Sequence, residues 1–153
     1  MSGIMAGKKG IVFGVSNKHG IAYAIAQALH EQGAEIAFTY AGEIMKDRVT
    51  PLAEEMNAKI IESCDVSNEN EIKSVFDLYA KTYDQLDFVV HAVAFANRED
   101  ITGDFSKISK EGWDLALDVS AYSLISISRH AKPLMTNGGS IIALSYIGAE
   151  RSV

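Results

Sequence analysis

The chain has 153 residues, 48% of them hydrophobic, and a formal net charge of -6. That length supports one domain or a piece of one, with enough apolar side chains to bury a core, and the acidic balance argues against a broad electrostatic surface for nucleic acid. Cys64 is the only cysteine, which excludes an internal disulfide and a cysteine-built zinc cage, and no apolar run reaches the roughly 20 residues that span a bilayer.

Ile11-Val12-Phe13 is the first strand candidate. A glycine-containing turn, Gly14 to Gly20, follows, and then a helix with Ile21, Ala22, Ile25, Ala28 and Leu29 on one face. Gly33 is placed to end that helix, and Glu35–Tyr40 supplies a second strand. A third apolar stretch, 59–64, runs into Asp65. Ile72, Val75, Phe76 and Tyr79 give the segment 69–83 a helical stripe. A fourth strand covers 86–91. Residues 110–135 then read as helical, with Leu115, Leu117, Val119, Leu124, Ile125 and Ile127 spread almost all round. Such a segment needs cover on more than one face, from other elements or a neighbouring subunit. The fifth strand is 140–145.

Strands alternating with helices build a parallel sheet covered on both faces, so the expected fold is α/β, a Rossmann-like sheet flanked by helices. There is no repeat, low-complexity tract or linker. The chain stops just beyond the fifth strand, so it is expected to be truncated there, residues 1–153 forming one portion of a single dinucleotide-binding domain. No secretory stretch opens the sequence, and a reducing, cytoplasmic setting without membrane insertion is expected.

Strand, glycine turn and helix start in this order present backbone N–H groups to a phosphate. Gly14 permits a tight turn, Ser16 offers a hydroxyl, Gly20 allows close approach, and Ile21 opens the helix whose first amides would face a pyrophosphate. The spacing is looser than G-x-G-x-x-G, and an ordinary loop is the competing reading. An acid commonly binds the adenosine ribose about 20 residues further on. Tyr40-Ala41-Gly42 stands there instead, with Glu43 slightly later and Lys46 and Arg48 later still, a pattern that favours NADH over NADPH.

Asp65 is placed to accept from an adenine amino group with Val66 against the ring; alternatively Asp65 caps the next segment. Cys64 reads as packing rather than a nucleophile. Beyond the fourth strand, small Ala92 and Ala94 leave room for a nicotinamide ribose and Phe95 offers an apolar substrate wall, while His91 reads as structural. The histidines and carboxylates make no metal-ligand pattern. Tyr146 lies at the carboxyl end of the fifth strand, where open α/β sheets place ligands. Its phenol suits protonating or polarising an oxygen, and equally suits packing.

Five segments carry a resemblance: Gly14-Val15-Ser16-Asn17-Lys18-His19-Gly20-Ile21-Ala22, Ala37-Phe38-Thr39-Tyr40, Cys64-Asp65-Val66, His91-Ala92-Val93-Ala94-Phe95-Ala96 and Leu144-Ser145-Tyr146-Ile147-Gly148-Ala149-Glu150-Arg151. The chain resembles the N-terminal portion of bacterial NADH-dependent enoyl-acyl-carrier-protein reductases, a divergent branch of the short-chain dehydrogenase/reductase family. The resemblance implies hydride transfer from NADH to Cβ of a trans-2-enoyl thioester on acyl carrier protein, the last reduction in a round of fatty-acid elongation, by a homotetramer. It implies Gly14, Ser16, Gly20 and Ile21 around the pyrophosphate, Asp65 and Val66 at adenine, and Ala92 with Ala94 on the nicotinamide ribose side. It further implies Phe95 near the substrate and Tyr146 as the first active-site tyrosine. Family members often have Ser where Gly20 stands and Gly where Ala94 stands. The family's main catalytic Tyr and its Lys are expected beyond Val153, so the fragment alone is expected to be inactive. Two other readings stay open: a carbonyl-reducing short-chain dehydrogenase, against which stand Ser145-Tyr146-Ile147-Gly148 and the lack of a Tyr-x-x-x-Lys motif, and a non-catalytic nucleotide-binding or oligomerisation module.

Overall fold

Successive side chains of the first strand, β1 (Lys9–Phe13), point to opposite faces, and both faces are apolar. Ile11 and Phe13 join one buried cluster and Val12 joins another. A strand of this kind needs cover on both sides. In the computed structural model, which describes residues 3–151, helices supply it. Beside β1 lie β2 (Glu35–Tyr40) and β4 (Phe88–His91), with β3 (Ile61–Ser63) and β5 (Ser140–Ala143) outside them. All pairings are parallel and the order is β3-β2-β1-β4-β5.

One face is covered by α1 (Ile21–Glu31) and α2 (Lys46–Glu54), which contribute Ala22, Ala26, Val49 and Ala53 to the core around Val12, Phe38 and Val90. The other is covered by α3 (Glu69–Thr82) and by residues Val119, Ile127 and Ala131 of the later helical segment, packed on Ile11, Phe13 and Val89. A short α4 (Arg98–Ile101) precedes α5 (Lys110–Leu117) and α6 (Ser123–Ala131).

Helix ends follow their local sequence. Gly33, at φ +96, ends α1: its N–H donates to His30 O at 2.8 Å and the Ala34 N–H to Leu29 O at 3.0 Å, a Schellman closure. Asn68 caps α3 by accepting from the Asn70 N–H at 3.1 Å, and Ser109 caps α5 by accepting from the Gly112 N–H at 2.9 Å.

Several elements depart from expectation. The third, fourth and fifth strands are shorter than their apolar runs, because only 61–63, 88–91 and 140–143 find partners in register. On α1 the inward residues are Ala22, Ile25, Ala26 and Leu29, while Ile21 is 69% exposed and Ala28 also faces out. The helices α2 and α4 lie outside the helical segments expected from the sequence, although Met45, Val49, Ala53 and Met56 line one buried face along α2.

The segment 110–135 is not one helix. Between α5 and α6 the residues Asp118–Tyr122 form a π-turn, in which the Ser123 N–H reaches back five residues to Asp118 O. Nor is its apolar surface covered all round: Val119 and Ile127 are buried, but Leu117, Tyr122 and Ile125 are exposed. β5 is likewise open, with all four residues exposed, against the complete burial of β4.

Candidate functional site

The strand order reverses at β1, since chain-consecutive β2 and later β4 leave on opposite sides of it. Open parallel sheets bind ligands in the crevice beyond the carboxyl ends at such a point. A cleft of ≈ 570 Å³ lies there, walled by Gly14, the segments 40–43, 63–67 and 93–95, and by Glu71, Leu115 and Val119.

At its centre is the turn after β1. Gly14 has φ +86, and a Cβ on it would lie 2.3 Å from Ala92 O, so only glycine lets the exits of β1 and β4 pass each other. Asn17 then shapes the turn. Its carbonyl accepts from the Gly20 N–H at 3.1 Å, its Oδ1 accepts from the His19 N–H at 2.8 Å, and its Nδ2 donates to Ser16 Oγ at 3.1 Å. Gly20 is extended (φ -77, ψ 148) and offers no side chain to cap α1, so the first-turn amides of that helix are left for an incoming anion. A Cβ at Gly20 would meet Asn17 O at 3.3 Å, a contact that small adjustments relieve, so serine fits there as well.

The β3 side is bonded within itself. Asp65 Oδ1 accepts from the Ser67 N–H at 2.9 Å and from Ser67 Oγ at 2.7 Å, while the Asp65 N–H donates to Glu71 Oε2 at 2.7 Å. Asp65 therefore satisfies a loop amide with one carboxylate oxygen, while the cap of α3 is Asn68. Val66 is buried against the core and also walls the cleft. Burial pushes the Cys64 thiol up to about 12, which makes it a packing group. Burial also raises Tyr40 above the usual phenol value. Three carboxylates, Glu43, Asp65 and Glu71, line the cleft and no lysine or arginine does; Lys46 Nζ lies 3.6 Å from Glu43 Oε2.

On the β4 side, the Ala92 N–H donates to Phe13 O at 3.2 Å and Ala92 packs on the second core cluster, behind the cleft wall. Ala94 and the half-exposed Phe95 form the wall itself. His91 is buried with its Nε2 2.7 Å from Ser123 Oγ, and burial lowers its pKa below the usual imidazole value. It is neutral and structural, as its place at the end of an apolar strand suggests.

The structure thus brings Gly14, Asp65, Val66, Ala94 and Phe95 into one cleft. Ser16, Gly20, Ile21 and Ala92 flank it. Tyr146 is not brought to it: it stands beyond β5, 67% exposed, before the turn Ile147–Ala149. Among the described residues there is no cluster of His, Cys, Asp and Glu able to hold a metal, and no helix is long and apolar enough to cross a membrane. Sequence reasoning passed over Asn17, whose signal is the Asn two residues ahead of a turn amide. It also passed over Leu115, Val119 and Glu71 as cleft walls, for which no local signal exists.

Known proteins share this arrangement. The family described as Enoyl-(Acyl carrier protein) reductase matches residues 14–153. The enoyl-acyl-carrier-protein reductase (NADH) of Nostoc sp. is 45% identical over 153 residues, covering 97% of this chain and 59% of the relative. The crystal structure of the Anaplasma phagocytophilum reductase in complex with NAD superposes with a TM-score of 0.94 at 44% identity, covering 100% of this chain and 59% of that one. The Bacillus cereus enzyme, solved with NADP+ and an indole naphthyridinone, gives a TM-score of 0.94 at 40% identity, covering 99% of this chain and 60% of that one. In each case the chain spans less than two thirds of the relative's length.

Proposed function

Because this chain belongs to the enoyl-(acyl carrier protein) reductase family, we propose that the whole protein reduces a trans-2-enoyl thioester carried by acyl carrier protein to the saturated thioester, using NADH. The observation that carries this reading is the cleft at the strand-order reversal, where the uncapped amides of α1 adjoin Gly14 and a carboxylate-lined β3 exit. Gly14 and Ser16, with the close approach that Gly20 permits and the amide of Ile21, would hold the pyrophosphate. Asp65, through the oxygen not engaged by Ser67, would accept from the adenine amino group, with Val66 against the ring. Ala92 and Ala94 would leave space for the nicotinamide ribose, and Phe95 and Tyr146 belong to the substrate side. The chemistry that bound NADH supplies is hydride donation to the substrate's Cβ.

The same cleft favours NADH over NADPH. A 2′-phosphate would meet Glu43, Asp65 and Glu71 with no cation among the walls. The exposed apolar side chains of Leu117, Tyr122 and Ile125 support self-association, and we read the assembly as a homotetramer in a cytoplasmic setting.

The test is loss of NADH absorbance when the whole protein meets a trans-2-enoyl thioester on acyl carrier protein. Enoyl-dependent oxidation is expected. Oxidation with a ketone substrate alone would support a carbonyl reductase instead, and saturable NADH binding without turnover would support a non-catalytic module.

A further inference from the structure

The π-turn Asp118–Tyr122 interrupts a helix that faces the cleft, and each of the two hydroxyls it redirects bonds to the chain leaving β4. In a regular helix the Ser123 N–H would bond Val119 O; here it bonds Asp118 O, and the Ser123 hydroxyl donates to Val119 O at 2.7 Å instead. With its proton so used, Ser123 Oγ accepts from His91, which fixes the Nε2–H tautomer of that buried ring. One turn away, Ser120 Oγ accepts from the Phe95 N–H at 3.1 Å and donates to Phe95 O at 3.2 Å. The loop is therefore fastened at both ends, at His91 and at Phe95, to a single irregular turn.

Among the described residues, Phe95 makes its hydrogen bonds to Ser120 alone. Its side chain is 51% exposed, it stands outside both core clusters, and it separates the cleft from a second hollow bordered by Ala96, Trp113 and Ala116. Ala92, three residues earlier, is tied independently to Phe13 O. The backbone clamp at Phe95 consequently fixes the main chain from which that ring projects between the two hollows.

We propose that Ser120 is a positioning residue, delivered by the π-turn to set Phe95 at the β4 end of the cleft and so to shape the nicotinamide half of the site and leave the adenosine half alone. The proposal rests on the reading of the cleft as an NADH site. Its structural part, the clamp, stands apart from that reading, and the experiment separates the two.

Wild-type chain, Ser120→Ala and Ser120→Thr are compared by hydrogen exchange at the Phe95 amide and by titration with NADH and with ADP-ribose, which lacks nicotinamide. In Ser120→Ala the Phe95 amide exchanges faster while Val90 is unchanged. NADH binding weakens about three- to tenfold, the worth of one hydrogen bond, and ADP-ribose binding moves less than about twofold. Ser120→Thr, which keeps the hydroxyl, restores both. Unchanged Phe95 exchange, or an equal loss for NADH and ADP-ribose, overturns the positioning role. If the wild-type chain binds neither nucleotide, the NADH reading and the nicotinamide-half claim fall together, and the exchange data alone decide whether the clamp exists.

Discussion

At the β3 end of the cleft, beyond the backbone pairing of β3 with β2, the side-chain bonds that shape the wall span two to six residues: Ser67 to Asp65, and Asp65 to Glu71. At the β4 end they reach across 25 residues from Ser120 to Phe95 and 32 from Ser123 to His91. The first wall folds upon itself, so it is preformed once β3 joins the sheet. The second exists only after α5, the π-turn and α6 have docked on the opposite face. A cleft built this way has a β3 side closed by local bonds and a β4 side whose shape depends on tertiary packing.

Substitutions can break that contrast at several levels. The largest effect is expected between the two ends, at Gly14, where alanine would require a positive φ and place Cβ 2.3 Å from Ala92 O. Gly14→Ala should destabilise the chain by about 2 kcal/mol or more in urea unfolding. At the β4 end, Ser123→Ala leaves the buried His91 N–H without an acceptor and should cost about 1–3 kcal/mol in the same measurement. At the β3 end, Asp65→Ala removes only the two exposed local bonds from Ser67 and should cost about 1 kcal/mol, while weakening NADH binding about tenfold. Were the Asp65 loss larger than the Ser123 loss, the contrast between local and long-range walls would fail.

Acid offers a gentler probe of the β4 end. The folded pKa of His91 is depressed, so the unfolded chain binds the extra proton first. The stability this group contributes is complete above its unfolded value of about 6.5 and is lost as pH falls from there toward the folded value. The shifted carboxylates Glu69, Asp77, Asp84, Asp87 and Asp104 are all lowered from ordinary values near 4 and act at more acid pH. Unfolding free energy should therefore decline as pH falls below about 6.5, and His91→Asn should flatten that decline. The smallest effect is expected for Ala94→Gly, which removes one methyl from the wall and should change NADH affinity less than about threefold in a fluorescence titration.

The same contrast explains what could be read from the sequence. β1, β2 and the first-turn geometry of α1 were legible because apolar runs, glycines and caps act over a few residues. The turn made by Asp65 with Ser67 was legible for that reason too, whereas its contact with adenine is part of the proposal. The π-turn was not legible. The apolar stripe of 110–135 fits a continuous helix just as well, and only packing of Val119 and Ile127 on the sheet, with Ser123 against His91, selects the wider turn. The outward position of Ile21 was equally hidden, since α1 meets the sheet through the small faces of Ala22 and Ala26. Tyr146 is 67% exposed beyond β5 and does not line the cleft, and its place on the substrate side is part of the proposal.

The central claim is that one cleft holds NADH with adenine at the β3 exit and nicotinamide at the β4 exit. A hydrogen-exchange map of the chain with and without saturating NADH tests it most directly. The account predicts new protection at three separated places: the amides of 14–22, those of Asp65 and Val66, and those of 92–95. Saturable binding with protection elsewhere, such as along β5 and α6, would contradict it.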